Sequence, residues 1–230
     1  MCVSMQSCKE IPNRAAMHPL APLPLPWQFT AALGMLHDGI RQAAKGNVSR
    51  ATELLGRYPD AEARKWGVQH GQVSGRSRWR LLGKPPPPRA VGPQSNDRAV
   101  SAVLARKVYQ RDGFLCRYCG LPVIPREVLR ATTLVVGSTA FGTGKPNEEN
   151  HGGALLSWAQ VDHVVPWNLG GSTALSNLVT SCWACNYGKY NYALEQIGVA
   201  DPRERLPSEP TESWRRWDGL TSLLPDLRRR

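Results

Sequence analysis

Apolar residues in the first third of the chain recur at the spacing of amphipathic helices. The pattern predicts three helices: one from Trp27 to a glycine stop at Gly46, one over 49–57, and one from Asp60 to about Trp66. The first helix has an apolar face formed by Phe29, Leu33, Leu36 and Ile40. We therefore predict a small, mainly helical region in the N-terminal part of the chain.

In the second half of the chain, some apolar segments have the spacing of helices and others that of strands. A helix capped by Asp97 is expected first, and its buried stripe would be formed by Val100, Val103, Leu104 and Val108. Two short strands are expected further on, at 161–165 and 178–180, with a Gly-Gly turn between them. The second strand leads directly into another helix near Cys182, which continues after Asn191 through Leu194 and Ile197 to Gly198. The pattern thus predicts a hairpin followed by a helix.

Residues 121–160 separate these segments and are interpreted as an insert. A helix is expected there from Pro125 to about Val135, and a Gly-rich loop follows it. A further helix is expected to open at Asn147 and to run through Trp158. His151 is assigned to the protein surface.

Composition divides the chain into five regions. A disordered Pro-rich leader, a helical and basic unit, a stiff Pro-rich linker, a main domain and a C-terminal extension are predicted at 1–26, 27–83, 84–96, 97–200 and 201–230. The extension is expected to pack back on the main domain through Trp214, Trp217, Leu220 and Leu223. The predicted fold class of the main domain is α+β.

The formal charge of +11 indicates a polyanionic partner. Residues 1–100 carry 14 Lys and Arg against 6 acids, so most of the excess lies in the N-terminal part. Within it, Arg76, Arg78 and Arg80 alternate with other residues, which gives an extended arm one basic face suited to a phosphate backbone. A solvated basic surface or a charged edge strand is the alternative interpretation.

The chain lacks the sequence signals of membrane insertion and secretion. It has no run of 18 apolar residues, and prolines interrupt any apolar core in residues 1–26. We therefore predict a cytoplasmic protein, in which thiols stay reduced and paired cysteines hold metal more often than they form disulfides.

Four of the six cysteines form two Cys-x-x-Cys pairs, Cys116/Cys119 and Cys182/Cys185, with 62 residues between the pairs. Two thiolates presented from a tight turn that is followed by a glycine are typical of half of a zinc site. Two such pairs predict one closed tetrahedral zinc site, which would be structural because it leaves no open position for water. A disulfide or free thiols remain the alternatives.

Polar residues near the second pair supply the groups that hydrolysis of a phosphodiester requires. Asp162 offers a carboxylate oxygen and Asn186 an amide oxygen to a hard divalent cation. Histidine is the residue type that titrates near neutrality, so His163 is a candidate general base. Asn177 is expected to fix the histidine-bearing strand by hydrogen bonding, and Lys189 to contact phosphate. Each residue alone also fits an ordinary surface or turn position, but their order favours the joint interpretation.

Residues 112–191 resemble an HNH endonuclease of the type with a four-cysteine zinc site and a ββα-metal core. The resemblance lies in three segments, RDGFLCRYCG at 111–120, DHVVPWNLGGSTALSNL at 162–178 and CWACNYGK at 182–189. The last position of the motif is Asn186 instead of the histidine that gives the family its third letter. Asparagine is a familiar variant there, and its carbonyl oxygen still suits Mg²⁺.

The resemblance implies a role for each of the residues named above. His163 would be the general base and Asn177 the central asparagine of the motif, while Asp162 and Asn186 would bind the catalytic ion. The hard oxygen ligands favour Mg²⁺ or Mn²⁺ over Zn²⁺ at that position. The four cysteines would hold the structural zinc.

We predict from these observations a metal-dependent DNA endonuclease without a small-molecule cofactor. The alternative is a zinc-stabilised nucleic-acid-binding protein that has the scaffold but no activity. Asp162 and His163 favour the enzyme, because a pure binding protein needs neither.

Overall fold

The structure is a computed structural model that describes residues 21–71, 98–144, 147–204 and 216–230. Predictions outside these ranges concern the leader up to residue 20, the basic arm with Arg76, Arg78 and Arg80, the linker at 84–96, and Trp214.

Helices form the N-terminal region, as predicted. They are α1 Trp27–Ala31, α2 Leu33–Ala44, α3 Val48–Gly56 and α4 Asp60–Gly71. The first predicted helix is divided at Ala32, and the last extends beyond its predicted end at Trp66. The predicted apolar face of α1 and α2 is buried throughout. Complete burial of a Leu or Ile side chain contributes about 1.5–3 kcal/mol to the stability of the fold. This apolar face therefore holds the N-terminal helices against the rest of the protein.

The remaining described residues combine helices with one small antiparallel sheet, which confirms the predicted α+β class. The elements are α5 Ala102–Arg111, α6 Arg126–Val136, α7 Gly152–Ser157, β1 Ala159–His163, β2 Leu178–Cys182, α8 Trp183–Lys189, α9 Leu194–Ile197 and α10 Leu224–Arg228. In the described part of the chain, the helices are too short or too polar to cross a membrane.

The hairpin and the helix after it form a ββα unit. β1 and β2 pair with Ala159 opposite Cys182 and His163 opposite Leu178. Cys182 ends β2 and is also the N-cap of α8, where its Sγ accepts a 3.4 Å bond from the Cys185 amide. α8 therefore starts without a loop and packs against both strands.

The N-terminal helices share one hydrophobic core with the later elements. α4 packs on α7 and α8, and α2 packs on α6. The approach is close where glycines allow it: a Cβ at Gly67 would lie 2.8 Å from Leu155, and a Cβ at Gly152 would lie 2.5 Å from the carbonyl oxygen of Asp60. The helical unit is thus packed against the predicted insert, while the domain division at 84–96 stays a prediction.

Two segments are packed more tightly than the sequence predicted. Ala21 and Leu23 belong to the region assigned to a disordered leader, yet both are buried. Leu23 approaches α8 where Gly188 has no side chain, because a Cβ there would lie 2.5 Å from the Cβ of Leu23. His151, assigned to the surface, is 5% exposed. Its Nδ1 accepts a 3.1 Å bond from the Gly153 amide at the start of α7, and its Nε2 lies 3.2 Å from the carbonyl oxygen of Leu55.

Three helix predictions need correction. α5 is capped by Ser101 rather than Asp97, since the Ser101 hydroxyl accepts a 3.2 Å bond from the Leu104 amide. Its predicted stripe is only partly buried: Val108 is inside, but Val103 is 68% exposed. The helix after Cys182 does not run on to Gly198, because the backbone of Tyr190 turns to φ 53° and α9 is a separate helix.

Candidate active site

The four paired cysteines meet at one point, although 62 residues separate the two pairs in sequence. Their Sγ atoms all lie within 4.8 Å of one another, and the Sγ atoms of Cys119 and Cys182 are 3.7 Å apart. All four are free thiols. Zn–S bonds of about 2.3 Å in a tetrahedron require S···S separations of about 3.8 Å, so the cluster has the dimensions of a zinc site.

Residues 116–120, which we call the knuckle, present the first two thiols. The Gly120 amide donates a 2.8 Å bond to the carbonyl oxygen of Cys116 and closes the turn, and Gly120 has a φ of 76° that suits glycine. The Arg117 amide donates a 2.8 Å bond to the carbonyl oxygen of Thr180 in β2. The knuckle is therefore tied to the strand that ends at the other cysteine pair.

Asp162 lies in β1 with its carboxylate almost fully buried. The Tyr118 hydroxyl donates a 2.6 Å bond to Oδ2, and the Lys189 ammonium lies 3.3 Å from both carboxylate oxygens. Burial raises the pKa of Asp162 above its ordinary value, and the nearby Lys189 ammonium opposes that rise. The carboxylate thus lies where the Lys189 ammonium stabilises its charged form.

Lys189 does not occupy the phosphate-contacting position predicted from the sequence. Its side chain is completely buried, and its ammonium donates a 2.8 Å bond to the carbonyl oxygen of His163 as well as contacting Asp162. A buried ammonium needs such partners, because an unpaired charge is costly away from water. The structure therefore assigns Lys189 to balancing the charge of Asp162.

His163 ends β1 and is half-buried, between the core and the solvent. One ring nitrogen, Nε2, lies 3.0 Å from the Thr173 hydroxyl, which orients the ring. Burial lowers the pKa of His163 below its ordinary value of 6.5, with the nearby Asp162 carboxylate opposing and Lys189 and Arg98 reinforcing the shift. The imidazole is therefore neutral at neutral pH and able to accept a proton.

Asn177 joins the two ends of the loop between β1 and β2. Its Oδ1 accepts a 2.9 Å bond from the Val165 amide, and its Nδ2 donates to the carbonyl oxygens of Val165 and Ser172 at 3.0 and 2.9 Å. Gly171 allows this closure, since a Cβ there would lie 1.8 Å from the carbonyl oxygen of Val165. These bonds hold the segment that follows His163 in one conformation.

Asn186 lies on the face of α8 that covers β1. Its Nδ2 donates a 3.2 Å bond to the side-chain oxygen of Gln160, which is two residues before Asp162 and on the same face of the strand. Lys189, three residues further along α8, contacts Asp162 in the same way. The side chains of Asn186 and Asp162 therefore belong to one helix–strand interface, with the amide oxygen of Asn186 as its candidate ligand atom.

An ion pair before the knuckle, between buried Asp112 and the exposed Arg111, supports the site and was not found from the sequence. Asp112 is 2% exposed and is held by Arg111 at 2.8 Å. Arg111 also donates to the carbonyl oxygens of Leu175 and Leu178, and Asp112 accepts a 2.7 Å bond from the Thr180 amide. The pair thus attaches α5 to the strand that faces His163. The sequence around these two residues is typical of an ordinary helix end, and only the Asp112-Gly113 pair indicates a turn.

Tyr118 was likewise not found from the sequence, because its partner Asp162 is 44 residues away and no local pattern indicates it. The basic arm with Arg76, Arg78 and Arg80 lies outside the described residues. Within them, exposed Arg98 is, besides the buried Lys189, a basic residue whose charge lowers the pKa of His163.

Comparison with protein families identifies the same part of the chain. Residues 147–191 match the family model described as HNH endonuclease. That range contains His163, Asn177, Asn186 and the second cysteine pair. No curated protein and no solved structure matches the chain. With its ββα unit and four-cysteine cluster, the chain carries a domain of the HNH endonuclease family.

Proposed function

We propose that the protein is a metal-dependent endonuclease that hydrolyses DNA phosphodiester bonds at a centre formed by Asp162, His163 and Asn186. The HNH domain indicates nuclease activity in general. The observation that carries the specific proposal is a half-buried, neutral histidine directly beside a buried carboxylate. These two adjacent residues at the end of β1 offer a base for the attacking water and an anionic ligand for a cation.

His163 is proposed as the general base. The Thr173 hydroxyl contacts one ring nitrogen of His163, so the other ring nitrogen can accept the proton of an attacking water. The lowered pKa keeps the ring neutral in the physiological range. Asn177 is proposed to keep the base in place, since its three side-chain bonds fix the loop that follows His163.

Asp162 and Asn186 are proposed as ligands of a divalent cation. A carboxylate and an amide oxygen are hard donors that suit Mg²⁺ or Mn²⁺. When bound, such an ion stabilises the charge on the phosphate and on the leaving oxygen. The thiolate cluster is closed and is proposed to hold structural zinc only.

DNA is proposed as the substrate because the chain is strongly basic. The formal charge of +11 favours a phosphate backbone, and Arg98 places one exposed guanidinium near His163. Arg76, Arg78 and Arg80 are proposed as further backbone contacts. These contacts would supply affinity with little sequence preference.

Cleavage of supercoiled plasmid tests the proposal. Purified zinc-loaded protein is expected to convert the plasmid to nicked or linear forms in the presence of Mg²⁺ or Mn²⁺, and to leave it supercoiled in EDTA. Plasmid that is bound but stays intact with either ion would contradict the proposal. That result would favour the zinc-stabilised binding protein instead.

A further inference from the structure

Tyr118 connects the thiolate cluster with the proposed nuclease centre. Its ring is 1% exposed, and its hydroxyl donates the 2.6 Å bond to Oδ2 of Asp162. The two residues are 44 positions apart in the chain, so no local turn or helix brings them together. The contact depends on how the knuckle is placed against the hairpin.

The thiolate cluster determines the position of the Tyr118 ring. Tyr118 lies between Cys116 and Cys119, and the Sγ of Cys119 is 3.7 Å from the Sγ of Cys182 at the end of β2. The Arg117 amide is bonded to Thr180 of the same strand at 2.8 Å. Arg117 and Cys119, the neighbours of Tyr118, both contact β2. The position of the Tyr118 hydroxyl next to β1 is therefore fixed.

The bond also determines how the Asp162 carboxylate is turned. Lys189 lies 3.3 Å from both oxygens and does not distinguish between them. The Tyr118 hydroxyl donates to Oδ2 at 2.6 Å. The shorter, one-sided bond therefore holds Oδ2 against the knuckle, which fixes the orientation of the carboxylate group.

We propose that Tyr118 is a positioning residue that orients the Asp162 carboxylate for the divalent ion and makes that orientation depend on the zinc site. The proposal rests on the proposed function, because it takes Asp162 as an ion ligand. A residue of this kind hydrogen-bonds the side chain that binds the ion and does not contact the ion itself. Their removal typically weakens metal affinity or activity by about 10–100-fold.

Tyr118→Phe tests the proposal because it removes the hydroxyl and keeps the ring. The dissociation constant for Mn²⁺, measured on zinc-loaded protein by the electron paramagnetic resonance signal of free Mn²⁺, is expected to rise about tenfold. Plasmid cleavage is expected to need correspondingly more Mn²⁺ for half of its maximal rate, and the zinc content is expected to stay at one per chain.

Tyr109→Phe is the matched control. Tyr109 is a partly buried tyrosine whose hydroxyl donates a 3.2 Å bond to the carbonyl oxygen of Ala159, at the other end of β1. Each change removes one hydroxyl that is hydrogen-bonded to β1, and thermal unfolding is expected to report the larger loss of stability for Tyr118→Phe, because its bond is to a charged group. The Mn²⁺ affinity of Tyr109→Phe is expected to stay within about twofold of wild type, since its hydroxyl touches no proposed ion ligand.

Equal Mn²⁺ affinity in the two variants would overturn the proposal and leave Tyr118 as a core residue only. The binding measurement does not depend on cleavage, so it separates the two proposals. A wild-type protein that binds Mn²⁺ through Asp162 but leaves DNA intact would contradict the nuclease function and not the role of Tyr118.

Discussion

His163→Ala is expected to lower the rate of plasmid cleavage by about 10²–10⁴-fold, the usual contribution of a positioned general base. The side chain is half-buried at the end of β1, and its ring bonds Thr173. Its loss removes one hydrogen bond from the loop and leaves the thiolate cluster untouched. Zinc content and thermal unfolding of the variant are therefore expected to stay close to those of wild type.

The pH dependence of the wild-type rate gives a second measurement on the same residue. A general base must be neutral, so the rate is expected to fall as the pH drops through the pKa of His163. Burial lowers that pKa below 6.5, and a divalent cation beside it acts in the same direction. The acidic limb of the profile is therefore expected below pH 6.5, and it should be absent from the residual activity of His163→Ala.

Imidazole added to His163→Ala provides the control for this prediction. Because His163 is only half-buried, a soluble base is expected to reach its position and to restore part of the rate. Cleavage by His163→Ala at the wild-type rate would show that another group activates the water, and it would remove His163 from the proposed mechanism.

Cys185→Ser is expected to abolish zinc binding and to unfold the HNH domain. Cys185 is fully buried, and its three partner thiols lie within 4.8 Å. A structural zinc ion contributes roughly 10–16 kcal/mol of binding free energy to small zinc domains, which exceeds the net stability of most domains. Loss of one ligand therefore removes more free energy than the remaining interactions of the protein are expected to replace.

Elemental analysis and circular dichroism during thermal unfolding test this expectation. Wild-type protein should contain one zinc per chain, and Cys185→Ser should contain none and show no cooperative transition. Cys8→Ser is the matched control, because it makes the same change at a cysteine that is not one of the four. Reduced wild-type protein that is folded without zinc would contradict the structural role of the cluster.

The sequence was sufficient to predict the ββα unit and the meeting of the two cysteine pairs. Strand, turn and helix signals are local, and Cys182 falls where β2 ends and α8 begins. Cys-x-x-Cys spacing also carries its own chemistry, because two thiols on one turn must share an ion with two others to complete a tetrahedron. Both predictions depend only on patterns within short stretches of the sequence.

The sequence was not sufficient to predict the partners of the buried polar groups. Lys189 was expected to contact phosphate, but α8 packs so closely on β1 that its ammonium contacts Asp162. Tyr118 and His151 likewise have partners far away in the chain, in β1 and α3. Periodicity tells which face of an element is buried, but it does not tell which distant group meets a polar side chain on that face.

We propose that the chain has two separate metal sites, a thiolate site for structure and an Asp162 site for chemistry. Mn²⁺ binding to zinc-loaded protein tests this most directly, with Asp162→Asn as the variant because the amide keeps the shape of the carboxylate and removes its charge. Wild type is expected to bind one Mn²⁺ in addition to its zinc, and Asp162→Asn to bind Mn²⁺ at least about tenfold more weakly while its zinc is retained. Equal Mn²⁺ affinity in the two proteins, or release of zinc by Mn²⁺, would contradict the claim.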